Sequence, residues 1–209
     1  MKTLVTKNFK SKLNRMGVKR IFLAPLFILS LLILSTNVTF AHCDPMDGPL
    51  VKEAKIALER NNMNYVLKWV LPQYETEIKD AFILTMKVRN LSSDARNLAD
   101  KYFFETVVRV HRSGEGVPFT GIKPSGTPVD EKIVAADKSI ETGTLSPLKG
   151  FVTKEMLPEL EVRFNKVMSL KGFDVNNVKA GREYIEAYVQ FFKFAEGEEE
   201  GHVHQESHN

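Results

Sequence analysis

Three adjacent side chains, His42, Cys43 and Asp44, place an imidazole, a thiol and a carboxylate in one short stretch. In a chain that began at His42, the α-amine and the ring Nδ1 of that histidine could grip one metal ion in a small chelate ring. Cys43, the single cysteine of the chain, adds a thiolate, and Asp44 or Met46 a further donor. The amine ordinarily titrates near pH ~7.7–8 and the thiol near ~8.5, so both need only modest help to lose a proton, and a metal supplies it. Mixed nitrogen and sulfur donors suit copper, nickel, zinc or iron better than magnesium or calcium. Pro45 restricts the backbone that follows. The competing expectation is a flexible N-terminal segment whose histidine and cysteine hold nothing.

The chelate exists only if proteolysis makes His42 a chain end, and the preceding residues read that way. Residues 1–41 carry Lys2, Lys7, Lys10, Lys12, Arg15, Lys19 and Arg20 and no acidic residue. An apolar run from Ile21 to Leu34 follows, then a polar stretch closing on Thr39-Phe40-Ala41. That order predicts a secretory signal peptide over 1–41. The run falls short of the roughly 20 residues that span a bilayer, although an uncleaved anchor stays open as an alternative. Because His42 precedes Cys43, a lipoprotein signal is excluded. Localisation is expected to be periplasmic or extracellular, with no membrane association after cleavage. An odd cysteine in an oxidising compartment suggests a ligand, an intermolecular partner or a reactive thiol.

Removing the leader reverses the charge. The whole chain has 29 basic and 26 acidic residues; without the seven leader cations, 22 face 26, a net charge of −4. The cationic footprint that nucleic-acid binding needs is therefore gone, and no nucleic-acid partner is expected. The stretch that remains, from His42 to Asn209, is long enough for one domain with a core.

Further donors occur at two places. His111 closes a predicted helix just before a glycine-rich stretch, with Glu105 and Glu115 on either side, so a site joining His42, Cys43, Asp44 and His111 with Glu105 or Glu115 is coherent. Glu105 and His111 are six residues apart, about 120° around a helix, and need not converge. A histidine placed to complement the helix dipole is the alternative. The tail, from Glu196, is acidic, carries His202, His204 and His208, and is expected to be disordered and to collect metal only weakly. Paired-cysteine haem or zinc motifs, a phosphate-cradling glycine loop and a serine–histidine–acid arrangement are all lacking in the sequence, so neither a nucleotide nor haem is expected.

Helical periodicity dominates what must position these groups. Asp47-Gly48-Pro49 reads as a helix start with Asp47 near the cap. Val51, Ala54 and Leu58 form an apolar stripe until Asn61-Asn62, and a short apolar piece, Met63 to Leu71, ends at Pro72. Ile78, Ala81, Phe82, Thr85 and Met86 repeat at helical steps, as do Ala95, Leu98, Ala99, Tyr102, Phe103, Thr106 and Val110. Residues 113–128, with four glycines and three prolines, read as a linker. Thr127-Pro128-Val129-Asp130 predicts a capped restart, followed by Ile133, Ala136 and Ile140. A last helix carries Val178, Gly181, Ile185, Tyr188, Phe192 and Ala195.

The chain also resembles itself. An ungapped shift that lays Ala54 on Ala136 pairs Glu59 with Glu141, Phe82 with Phe164, Met86 with Met168 and Tyr102 with Tyr184. The expected architecture is therefore all-α: one helical domain over 42–195, built of two related units (47–112 and 129–195) across the 113–128 linker, with 196–209 as the tail. Positions kept in both units, Tyr102 and Tyr184 included, are expected in the core.

His42-Cys43-Asp44 resembles the N-terminal hook of nickel superoxide dismutase, an exported helical-bundle enzyme. That resemblance implies an amine and ring from His42 and a thiolate from Cys43. Pro45-Met46-Asp47 stands where the hook carries its second cysteine, so the dismutase chemistry does not carry over. A broader resemblance rests on the same triplet with Met46-Asp47-Gly48-Pro49, Tyr102-Phe103-Phe104-Glu105-Thr106, His111-Arg112, Gly114-Glu115-Gly116 and Gly181-Arg182-Glu183-Tyr184. Together these resemble an uncharacterised family of exported bacterial helical proteins. The leading expectation is an exported helical protein holding a transition metal at its mature N-terminus, for metal handling or redox chemistry. The alternative is a non-catalytic helical adaptor that binds an envelope protein or a second copy of itself.

Overall fold

The computed structural model describes residues 42–197. The expected leader (1–41) and the histidines of the tail (His202, His204, His208) lie outside the described residues.

Seven α-helices follow in order among the described residues. Helix α1 (Pro49–Arg60) starts on a proline, whose fixed φ suits the first turn, and stops at Asn61, which adopts the left-handed conformation at φ 49°. A single helical turn, α2 (Asn64–Leu67), and a 3-10 turn (Pro72–Tyr74) lead into α3 (Glu75–Val88). The long α4 (Ser93–Gly114) is capped by Ser92, whose hydroxyl accepts from the Ala95 amide. Helix α5 (Glu131–Thr142) is capped by Asp130, which accepts from the Lys132 amide, and stops at left-handed Gly143. A second 3-10 turn (Ser146–Leu148) precedes α6 (Leu157–Leu170) and α7 (Val178–Glu196). No strand occurs among the described residues; the one β-type pairing is an isolated bridge between Pro45 and Lys123.

The all-α class follows the periodicity. Helices α1 and α3 both pack on α4, and α5 and α6 both pack on α7. Ile133, Ala136 and Ile140 are buried, as expected. Helix α4 departs from its predicted stripe: Leu98 is 72 % and Tyr102 45 % exposed. The inward face keeps Ala99, Phe103, Thr106 and Val110 of that stripe and adds Phe104, Val107 and Val108. Two neighbouring rows of this helix are apolar, and only the docking of α1 and α3 decides which one turns inward. Tyr102, expected in the core, is thus at the surface, while Tyr184 packs against the core. Helix α7 continues through Glu196, one residue beyond the expected boundary.

Helix α7 also closes on the segment that follows α1. Gly181 permits it, since a Cβ there would sit 2.9 Å from Cβ of Lys68. Arg182 donates to the carbonyls of Val70 (2.9 Å) and Leu67 (3.2 Å) and to Glu75 (2.6 Å), so it satisfies acceptors left open where α2 ends.

The stretch expected to be a linker is a strap. The Met46 amide donates to the Lys123 carbonyl (2.9 Å) and the Lys123 amide to the Asp44 carbonyl (3.1 Å). Asp47 lies near the cap of α1 as expected, directly before the capping residue Gly48, and its carboxylate accepts from the Gly126 amide at 2.9 Å. Lys55 of α1 donates to the Met46 carbonyl (2.7 Å). Residues 42–47 therefore form a hook that folds back over Gly48. A Cβ at Gly48 would lie 2.7 Å from the carbonyl oxygen of His42 and 3.0 Å from that of Pro45, so only glycine fits that turn of chain.

Overpacking against backbone typically costs about 1–3 kcal/mol. Gly48→Ala is expected to lower stability by about that much in urea unfolding and to speed proteolysis of the hook. Gly150→Ala, with open space around its Cβ, serves as control; equal stability of both variants would contradict the hook geometry.

Candidate functional site

The end of α4 supplies three neighbouring polar groups. His111 and Arg112 are 5 % and 6 % exposed, and Glu115 follows one turn later. The hook lays His42, Cys43 and Asp44 against the same end of the helix, where Arg112 faces Asp44. From the second half of the chain, α5 contributes Asp137 and α7 contributes Tyr188 and Phe192.

His111 is held by the ring nitrogen Nδ1, 2.8 Å from the carbonyl oxygen of Trp69. A carbonyl only accepts, so Nδ1 carries the proton, and in the neutral ring Nε2 bears the lone pair. That Nε2 is buried without a hydrogen-bond partner; the nearest carboxylate oxygen, of Glu115, is 3.6 Å away. Arg112 donates through Nη1 to Glu115 at 3.2 Å. Its Nε and Oδ1 of Asp44 face each other at 3.7 Å, and both are buried without a hydrogen-bond partner. Native interiors leave few such atoms, and here three lie together.

His42 packs its ring on Phe192, with centroids 4.9 Å apart and planes 9° from parallel. Its Nε2 lies 2.9 Å from the Tyr188 hydroxyl, which donates to Asp137 at 2.8 Å. Cys43 is buried.

Burial sets the electrostatics. It pushes the Cys43 thiol well above its usual range, reinforced by Glu115, Asp44 and Asp137 and opposed by Arg112. The same desolvation lowers His42, against the pull of Asp137 and Glu115. It raises Asp44, which Arg112 partly offsets. Three carboxylates (Asp44, Glu115 and Asp137) thus act on the buried Cys43 thiol, opposed there by the one guanidinium of Arg112, with Lys123 acting on Asp44 from the strap. The acidic excess favours a cation.

Of the six main candidates from the sequence, five meet here: His42, Cys43, Asp44, His111 and Glu115. Glu105 does not. Its half-exposed carboxylate lies 3.9 Å from Lys101 on the outer side of α4, because six residues turn it about 120° away from His111. Sequence reasoning misses Arg112, Asp137, Tyr188 and Trp69. Tyr188 stands out there only as a member of the apolar stripe of α7, and Arg112 has one cue, its place beside His111. Among the described residues, no three His, Cys, Asp or Glu side chains already stand together as a metal shell.

A family model described as "Family of unknown function (DUF6448)" matches residues 47–194. The chain belongs to that family. The resemblance to an uncharacterised family is thereby borne out. The DUF6448 match takes in His111, Arg112, Glu115, Asp137 and Tyr188 and begins after the His42-Cys43-Asp44 triplet. No curated protein and no solved structure matches the chain. No helix of the described residues is long and apolar enough to cross a membrane.

A thiol pushed upward loses thiolate at neutral pH, about tenfold for each pH unit by which its titration moves. Cys43 in the native, metal-free protein is therefore expected to react with iodoacetamide more slowly than in guanidinium. Equal rates in the two states would show that the hook does not stay seated.

Proposed function

We propose that this DUF6448 chain is an exported protein that holds a transition metal at the chain end created when the leader is removed before His42. The observation that carries the reading is His111. Its Nδ1 is anchored on the Trp69 carbonyl and its Nε2 is buried and unpartnered, beside a hook that brings a second imidazole and a buried thiol. Anchoring one ring nitrogen on a carbonyl is how proteins orient a histidine that ligates through the other.

The donor set is the amine and Nδ1 of His42, the sulfur of Cys43 and Nε2 of His111, with Glu115 and Asp44 beside it. Before cleavage the His42 nitrogen is an amide and cannot serve as the amine donor; afterwards it can. A cation entering this acidic cluster displaces the thiol proton and offsets the carboxylate charge. Two imidazoles, an amine and a thiolate suit copper, nickel, zinc or iron. Metal handling or redox chemistry is the corresponding role.

We also read the fold as a tandem duplication, supported by its helix bounds. The shift that carries α1 (Pro49–Arg60) onto α5 (Glu131–Thr142) also carries α3 (Glu75–Val88) onto α6 (Leu157–Leu170), matching both ends of each helix. The same shift lays the end of α4 on the end of α7, and left-handed Asn61 on left-handed Gly143. His111 then corresponds to Lys193 and Arg112 to Phe194, so the polar cluster belongs to the first unit alone.

The adaptor reading draws on a different place. An open hollow of about 420 Å³, lined by Asn61, Met63, Phe82, Ile83, Met86 and Lys87, is largely apolar. An envelope protein or a second copy of the chain is the partner it implies.

Natively exported protein beginning at His42 is expected to carry about one equivalent of transition metal by elemental analysis. Cys43→Ser, His111→Ala and a variant with one alanine inserted before His42 are each expected to lose most of it. Unchanged metal content in all three would sink the proposal. Metal-free wild-type protein that retains a tight partner through purification would favour the adaptor.

A further inference from the structure

Tyr188 and Asp137 do more than fill space beside the hook. The phenol has one proton. Asp137, as a carboxylate, only accepts, so the Tyr188 proton points to it across 2.8 Å. What the Tyr188 oxygen offers His42 is therefore a lone pair, and the contact at 2.9 Å requires a proton on Nε2 of His42. In a neutral imidazole the lone pair is then on Nδ1, which is the one ring nitrogen that can close a small chelate ring with the same residue's α-amine. Nε2 points away from its own backbone and cannot.

We propose that Asp137 and Tyr188 are positioning residues that fix His42 in the Nε2–H tautomer and so present Nδ1, together with the terminal amine, to a metal ion. The inference rests on the metal reading above and deepens it, for it makes a residue pair from the second half of the chain part of a site whose donors come from the first.

The arrangement leaves the ring little freedom. Phe192 stacks on one face of His42. Tyr188 is itself wedged between Phe192 (4.3 Å), Trp69 (5.9 Å, edge-on) and Tyr184 (6.1 Å), so its oxygen cannot swing to another partner. Trp69 contacts both this relay and His111, by its ring and by its carbonyl. One short segment before α3 thus sets the orientation of both histidines. Each ring has its proton tied to an oxygen (Nε2 of His42 to Tyr188, Nδ1 of His111 to Trp69) and its other nitrogen left as the donor.

The test uses the chain beginning at His42, labelled with ¹⁵N-histidine, first without metal and then with Zn²⁺ alone. In the metal-free wild type, long-range ¹H–¹⁵N correlations are expected to show His42 as the Nε2–H form. In Tyr188→Phe the ring keeps its packing but loses the acceptor, and the two nitrogens are expected to move toward averaged positions. Zn²⁺ affinity is expected to fall about 10–100-fold, as for other partners that orient a ligand, with circular dichroism unchanged. Asp137→Ala, at a half-exposed position, is expected to act in the same direction and guards against a folding defect in the first variant. An unchanged tautomer and affinity in both variants, while the wild type binds zinc, overturns the relay and leaves the metal site standing. A wild type locked as Nε2–H that binds no zinc overturns the metal reading and with it the purpose assigned to the relay.

Discussion

The buried guanidinium of Arg112 is the constraint around which this end of the molecule is arranged. Taking a carboxylate out of water costs several kcal/mol unless an opposite charge meets it, and where the hook buries Asp44 the cation that faces it, at 3.7 Å, is Arg112. Arg112 is also the group that holds Glu115 over the end of α4. Removing one partner from such a buried set commonly costs about 3–5 kcal/mol. Even so, Arg112 and Asp44 stop short of a hydrogen bond, and Nε2 of His111 has none. An interior built only for stability would have closed those gaps or filled the space with apolar groups.

The scaffold explains how such a cluster is kept in place. Most of the two halves is ordinary helix-on-helix packing, each half wrapping its own long helix. The polar end of α4 is the exception: two things outside that packing cover it, the hook and the glycine- and proline-rich strap, with α7, the long helix of the other half, beside the hook. The strap bonds to the hook through main-chain groups, so its sequence needs little beyond the freedom to turn. Gly48 allows the hook to cross its own helix start.

Much of this is legible in the sequence, for identifiable reasons. The all-α class follows from apolar spacing; Pro49, Asn61 and Asp130 mark helix ends because their backbone preferences are local. Five candidate donors can be picked out because they cluster in sequence near two recognisable signals, an expected cleavage position and a helix end. Asp137 and Tyr188 cannot be found that way, lying far along the chain from the hook on helices whose mutual packing no local pattern specifies. The exposed edge of the α4 stripe escapes for a related reason: Leu98 and Tyr102 are as apolar as their buried neighbours, and only docking distinguishes them. The strap reads as a linker because glycine and proline report an irregular backbone, not what that backbone bonds to.

The most direct test is X-ray absorption at the zinc edge on protein that starts at His42 and is loaded with one equivalent of Zn²⁺. The account requires one sulfur scatterer at about 2.3 Å together with nitrogen donors at about 2.0–2.1 Å, including imidazole. A shell of nitrogen and oxygen alone, with no sulfur, would mean that Cys43 stays a buried thiol and that any metal is held somewhere other than beneath the hook.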